Sequence, residues 1–331
     1  MPVTLHRMVQ DAAMRRPDGV AVRCNDNGLS WSELARRSNG LARALLDSGV
    51  RRGDRVAVLL GKSLDVPVAF YGVLAAGAAL VPVDPKSPPA HIERIVRATG
   101  ARRLVTEPSR TNSAVQLAAE YPELSHVIGI EDSSGNSLAV TPWSAVEGMA
   151  SDDPPGVAVG GLDTSYIQHT SGSTGEPKLI RHNHASAMAF VEWAVDEYQL
   201  TADDRLSNHS SHHTCFATFD YYAAARAAAT TVILTPAAMF LPASLAELVE
   251  RERISVWYSV PTALVQLLLH GNLGERDLGA LRWVLFAGET FPEKHLRSLR
   301  AQLPNTRFSH VYGSTEVNVC TYYHLPEVGH E

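Results

Sequence analysis

The strongest constraint on this chain is its alternation of short apolar runs with longer amphipathic segments. Residues 55–60, 80–83, 104–106 and 126–130 read as strands. Residues 65–76 and 89–99 between them read as helices, the second stopped by Gly100. Upstream, Ser30 and Glu33 form an S-x-x-E capping box that opens a helix with a Leu34, Leu41, Leu45 and Leu46 stripe, ended by Gly49. Past residues 151–161, rich in Asp, Pro and Gly, the alternation resumes. Strands are expected at 165–168, 231–234, 255–258, 283–286 and 307–311, with helices at 185–198, 243–253, 262–270 and 292–302. Strands separated by helices of this length need crossover connections, and so predict parallel sheets covered on both faces. The expected fold is α/β, with two stacked lobes over residues 1–155 and 156–331.

Composition narrows the function. Apolar residues make up 45% and charged residues 19%, enough for a packed core. The net charge of −6 lacks the basic footprint of a nucleic-acid binder. Cys24, Cys215 and Cys320 are too few and too dispersed for a disulfide framework, and suit a reducing cytoplasm. The first residues carry no apolar h-region of a signal peptide. Residues 66–83 hold no charge over a near membrane-spanning length, but Pro67, Gly72, Gly77 and Pro82 make them a buried helix turning into a buried strand. No membrane partner is expected.

The most informative string is Thr170-Ser171-Gly172-Ser173-Thr174-Gly175-Glu176-Pro177-Lys178, directly after an expected strand. Its glycines allow close backbone approach, its hydroxyls donate to anionic oxygens, and Lys178 adds a positive charge, the composition of a phosphate cradle. No Gly-Lys-Ser/Thr closes it, so it is not a Walker A loop.

The string resembles the T-S-G-S-T-G-x-P-K-G loop of adenylate-forming enzymes, and among them the adenylation domains of nonribosomal peptide synthetases. It departs at Leu179, where Gly is usual. Four further stretches resemble family motifs in family order: residues 29–34 (L-S-W-S-E-L), residues 76–84 (A-G-A-A-L-V-P-V-D), Ala287-Gly288-Glu289, and Tyr312-Gly313-Ser314-Thr315-Glu316. In the last, Ser314 replaces the usual Pro.

The resemblance implies activation of a carboxylic acid with ATP, release of pyrophosphate, and capture of the acyl-adenylate by the phosphopantetheine thiol of a peptidyl or acyl carrier protein. It assigns Thr170, Ser171, Gly172, Ser173, Thr174, Gly175 and Lys178 to the β and γ phosphates and Thr315 to the α-phosphate. Glu316 is assigned to Mg²⁺, and Tyr312, Gly313, Gly288 and Glu289 to adenine. An acyl-CoA ligase and a non-catalytic nucleotide-binding module are the alternatives. Leu179, Ser314 and Cys215 favour the latter, while Lys178 and Glu316 oppose it. Family members continue beyond the Y-G-P-T-E motif into a small domain that supplies a catalytic Lys, so the chain resembles most of the large N-terminal domain.

For the acid, the resemblance places Cys215, Phe216, Phe219, Ser259, Leu285, Ala287, Val311, Val319 and Cys320 on a small apolar pocket. Cys215 stands where amino-acid-activating members carry the Asp that pairs the substrate ammonium. Residues 283–323 look most like stand-alone ligases that load proline on a carrier protein, yet Cys215 does not fit that pattern. The expected acid either lacks a free α-ammonium or presents its nitrogen to another group, Asp220 or a backbone carbonyl. His209, His212, His213 and Cys215 also read as a metal-ligand cluster, but no second pair completes a structural zinc site.

Overall fold

The computed structural model describes residues 4–132, 138–170 and 177–326. In chain order the elements begin with α1 (Leu5–Arg15), β1 (Val20–Cys24), β2 (Asn27–Ser30), α2 (Trp31–Asp47), β3 (Arg55–Leu59), α3 (Asp65–Ala75) and β4 (Ala79–Pro82). They continue with α4 (Pro89–Thr99), β5 (Arg103–Thr106), α5 (Thr111–Glu120), β6 (His126–Ile128), β7 (Ala139–Thr141), α6 (Trp143–Gly148), β8 (Thr164–Thr170) and β9 (Lys178–Asn183). After α7 (His184–Glu197) and β10 (Arg205–Asn208) comes a π-helical segment, Thr218–Ala223, running into α8 (Ala224–Ala227). The remainder is β11 (Thr230–Ile233), α9 (Pro242–Arg251), β12 (Val256–Ser259), α10 (Pro261–His270), β13 (Trp283–Phe286), α11 (Glu293–Gln302), β14 (Arg307–Tyr312) and β15 (Thr321–His324).

The chain forms two compact units, one of Met1–Gly19 with Leu29–Ala189 and one of Val20–Gly28 with Phe190–Glu331. This differs from the expected division after residue 155. The reason is strand pairing: β8 lies parallel to β4 and carries β9 with it, so residues 164–183 extend the earlier sheet, while β1 pairs with the much later β11.

The first unit holds a seven-stranded sheet in the order β7-β6-β5-β3-β4-β8-β9, parallel except for β9, which returns antiparallel to β8. Helix α2 starts at the expected capping box: the Ser30 hydroxyl accepts from Glu33 N, and the Glu33 carboxylate accepts from Ser30 N. The uncharged stretch is α3 and β4, with every residue from Val66 to Pro82 buried. No helix among the described residues is long and apolar enough to cross a membrane. Val81, Ile95, Leu104, Val127 and Ile167 centre the core, and burying each such side chain contributes about 1.5–3 kcal/mol. Buried His184 and half-buried His6 lie with ring centroids 5.9 Å apart, and Leu5 N donates to His184 Nδ1, which fixes that ring as an acceptor. Burial lowers the His6 pKa to about 3 and that of His184 to about 4.

The second unit holds an eight-stranded sheet in the order β15-β14-β13-β12-β10-β11-β1-β2, with β15 antiparallel to β14. Trp257, Phe286, Leu299 and Phe308 belong to a buried cluster that includes residues of α9, α10 and α11. At the sheet's other end, buried Asp204 accepts from both Nε and Nη2 of Arg282 at 2.7 Å, and from Ser255 Oγ and Thr201 N. Burial works to raise the Asp204 carboxyl, and these hydrogen bonds outweigh it, leaving the carboxyl below the usual range.

Candidate active site

The two ends of the Thr170–Lys178 string lie on paired antiparallel strands. Thr170 ends β8 and Lys178 opens β9, and the two are register partners, so the ladder holds the motif's first and last residues side by side. Ser171, Gly172, Ser173, Thr174 and Gly175 lie outside the described residues. Leu179, the departure from the family pattern, pairs with His169 and is 36% exposed on the edge strand.

The Ala287–Glu289 and Tyr312–Glu316 motif residues follow the ends of β13 and β14 in the second unit, the usual binding edge of parallel sheets. A cleft of about 600 Å³ opens there, lined by Gly288, Glu289, Tyr312 and Gly313 together with Phe286, His310 and Tyr323. Tyr312 offers an exposed ring, and the His310 ring stacks on Phe286 with centroids 4.9 Å apart. Gly288 turns the chain after β13 at φ +92°, a conformation L side chains rarely adopt. The Glu289 carboxylate accepts from Thr262 N in the first turn of α10, and hydrogen bonding to Thr262 holds its carboxyl below the usual range. Glu289 thereby ties the turn to a helix N-terminus. Gly313 has a different necessity: a Cβ there would lie 1.9 Å from Asn318 O. The turn between β14 and β15 folds back on itself at this point and presents half-buried Thr315 and exposed Glu316.

Several residues expected around the acid gather beside this cleft, and Val311 also lines it. Along β12 to β14 the register sets Tyr258 beside Leu285 and Leu285 beside Ser309. Since successive side chains alternate, Tyr258, Leu285 and Val311 share one face, and Ala287 follows Leu285 by two positions. Cys215 and Phe216 stand just before the π-helical segment, which carries Phe219. The Phe216 and Tyr258 rings lie 4.5 Å apart, and Phe219 meets Tyr258 edge-on at 5.5 Å. Burial raises the Cys215 thiol pKa, with Glu316 adding to the effect, so the thiol is protonated and neutral at pH 7.

Ser259 is a correction. It points to the other face, where its hydroxyl lies 2.9 Å from His209 Nδ1, and Tyr258 takes the wall position. The clue was available: with Leu285 on the wall, only one of two adjacent strand residues can share that face. Asp220, considered as an ammonium partner, is fully buried and accepts from Asn208 Nδ2 at 2.9 Å, away from the surface. Half-buried Val319 and exposed Cys320 flank the turn, and the Cys320 thiol donates to Tyr312 O. His209, His212 and His213 do not assemble a metal site: among the described residues no group of three or more His, Cys, Asp or Glu is disposed to hold an ion.

Residues 9–331 match the family described as AMP-binding enzyme. The chain belongs to that family. Among curated relatives, this AMP-binding chain is 32% identical over 327 residues to an L-proline–[L-prolyl-carrier protein] ligase of Pseudomonas fluorescens, covering 99% of this chain and 64% of the relative. It is 35% identical over 305 residues to a ligase of the same name from Streptomyces coelicolor, covering 90% and 57%. The chain thus spans less than two thirds of either. Among solved structures it is similar to the nonribosomal peptide synthetase FmoA3 in its α-methyl-L-serine-AMP-bound form, with a TM-score of 0.84, 29% identity, and coverage of 99% of this chain and 35% of that one. The mixed α/β fold with two parallel-rich sheets is that of adenylate-forming enzymes.

Proposed function

We propose that this chain is the nucleotide- and acid-binding core of an AMP-forming ligase. The ligase activates a small carboxylic acid for transfer to a carrier-protein phosphopantetheine. The observation that carries the reading is the pairing on one strand edge of the second unit. A cleft lined by the Tyr312, Gly288 and Gly313 motif residues adjoins an apolar wall around Cys215, and Val311 belongs to both. Two relatives are named proline-carrier ligases, and FmoA3 has been solved with AMPPNP and with an aminoacyl-AMP.

In this reading a carboxylate oxygen of the acid attacks the α-phosphorus of ATP, and the bond to the bridging oxygen of pyrophosphate breaks. Tyr312 stacks on the base, with Gly288 leaving room beside it. Thr315 donates to the α-phosphate. In the first unit, Thr170 and Lys178 are assigned to phosphate oxygens, where the Lys178 charge offsets the charge of a leaving pyrophosphate. The exposed Glu316 carboxylate is a hard oxygen donor that fits Mg²⁺, and the ion would supply further neutralisation of phosphate charge.

The wall selects the acid. An ammonium placed against a neutral thiol and aromatic rings loses hydration with no counter-charge, a cost of several kcal/mol as an order of magnitude. The expected substrate is therefore small, largely apolar and without a free α-ammonium against Cys215. Melting measured with acyl-sulfamoyl adenosines tests this. A mimic at 100 times its dissociation constant stabilises the fold by about 2.7 kcal/mol. Amino-free mimics are expected to do so, and prolyl mimics only with Cys215→Asp. Stabilisation of the parent by the prolyl mimic would refute the substrate assignment. Stabilisation by neither set, nor by AMP, would refute the ligase reading.

A further inference from the structure

A chain of hydrogen bonds runs inward from the outer strand of the eight-stranded sheet. Tyr322 Oη donates to Glu197 Oε2 at 2.7 Å, and Glu197 Oε1 lies 2.8 Å from His324 Nε2. His324 Nδ1 is 3.1 Å from Ser309 Oγ, which is 3.2 Å from Tyr198 Oη. Ser309 and Tyr198 have no accessible surface. The members come from the C-terminal end of α7, from β14 and from β15. The His324 ring also lies 4.9 Å from Trp283, over which Arg307 stacks at 4.2 Å.

Stability alone does not call for such a chain, because well-packed apolar side chains fill a site like this at equal or lower free energy. Its inner end is more telling. The Tyr198 ring meets Phe219 edge-on at 5.8 Å, Phe219 meets Tyr258 at 5.5 Å, and Tyr258 meets Phe216 at 4.5 Å. The hydrogen-bond chain therefore ends against the aromatic wall that carries Cys215.

We infer that Glu197, His324, Ser309 and Tyr198 form a positioning relay that sets the aromatic wall of the acid pocket and links it to the outer strand. The function of the relay rests on the reading of the Cys215 wall as the acid pocket; its mechanical coupling to that wall does not. None of the four is a catalytic residue. The fixed hydroxyl of Tyr198 holds its ring at one angle. That ring limits Phe219, and Phe219 limits Tyr258. Loosening any link deepens the pocket at Cys215.

The three cysteines are built-in reporters: Cys215 on the wall, Cys320 exposed, and Cys24 buried in β1. Each is followed by mass spectrometry during alkylation with iodoacetamide. Tyr198→Phe removes only the terminal hydroxyl, and is expected to speed Cys215 about tenfold relative to Cys320 with the Cys24 ratio unchanged. Adding Ser309→Ala breaks a link whose anchor is already lost, so Cys215 is expected to stay as fast as in Tyr198→Phe to within about twofold, and a return to parent protection would overturn the relay. Unchanged Cys215 in Tyr198→Phe, or equal acceleration of Cys24, would overturn the relay. Should Tyr198→Phe fail to fold, His324→Gln is judged by the same ratios. Protection of parent Cys215 by an amino-free acyl-sulfamoyl adenosine tests the pocket reading separately, because the variant comparison needs no acid.

Discussion

Gly313→Ala offers a direct test of the turn that carries Thr315 and Glu316. The added Cβ would sit 1.9 Å from Asn318 O, 2.7 Å from Asn318 C and 2.8 Å from Val319 Cα. All three are backbone atoms, so no rotamer change relieves the clash. Real Cβ contacts essentially never fall under 3.0 Å, so the far side of the turn must retreat by 3.0 − 1.9 = 1.1 Å. Overpacking of this kind costs about 1–3 kcal/mol in a closed core, but Gly313 and Ser314 are exposed and the turn can yield. The expected loss of stability is therefore near the lower end, about 1 kcal/mol. Misplacement by about 1 Å costs on the order of a hundredfold in the rate of an oriented reaction, and a loss of the same order is expected in AMP affinity. At an AMP concentration 100 times the parent's dissociation constant, the ligand contributes about 2.7 kcal/mol; a hundredfold weaker variant keeps only about 0.4. Differential scanning fluorimetry with and without AMP reads both quantities. Gly148→Ala is the control, because a Cβ there meets nothing within 4 Å. A Gly313→Ala protein that retains the full AMP-induced shift would refute the reasoning.

Two further outcomes follow from buried charge. His6 and His184 hold folded pKa values of about 3 and about 4, below the ordinary 6.5. The unfolded chain therefore takes up protons first as pH falls below 6.5; stability is fully present above that value and declines by several kcal/mol toward pH 4, read by urea titration across pH, with a clearly shallower decline in the His6→Phe/His184→Phe protein. Asp204→Asn leaves Arg282 without its counter-charge where the Arg282 side chain is 34% exposed. The expected loss is about 2–3 kcal/mol, under the 3–5 of a fully buried pair, measured by chemical denaturation at pH 7; a loss under 0.5 kcal/mol would contradict it.

Where local chemistry sufficed, the sequence was a close guide. The Ser30 hydroxyl and the Glu33 carboxylate are a complete local instruction, and α2 starts where they specify. Pro89 and Gly100 bracket α4 in the same way. What escaped were strands defined by partners far along the chain. β1 and β2 precede α2, yet they join a sheet whose other members begin at Arg205. β9 reads as the tail of a phosphate motif because Lys178, Leu179 and Arg181 are exposed on an edge and leave no apolar alternation. The division after residue 155 failed for the same reason, since a Pro- and Gly-rich linker marks a turn without saying which sheet receives the next strand. At the site, motif order brought Gly288, Glu289, Tyr312 and Gly313 into one cleft. Ser259 was misplaced because a one-residue slip along a strand moves a side chain to the opposite face.

Both sheets end in an antiparallel strand, and each of these strands follows a motif stretch of the sequence. Thr170 pairs with Lys178 at one tip and Tyr312 with Thr321 at the other. Each hairpin therefore works as a caliper: the ladder, rather than the length of the intervening turn, sets the gap between the residues that flank it. Between Tyr312 and Thr321, residues can be gained or lost while the two jaws stay in place. What the β14–β15 turn presents is thus free to change without any rebuilding of the sheet that holds it.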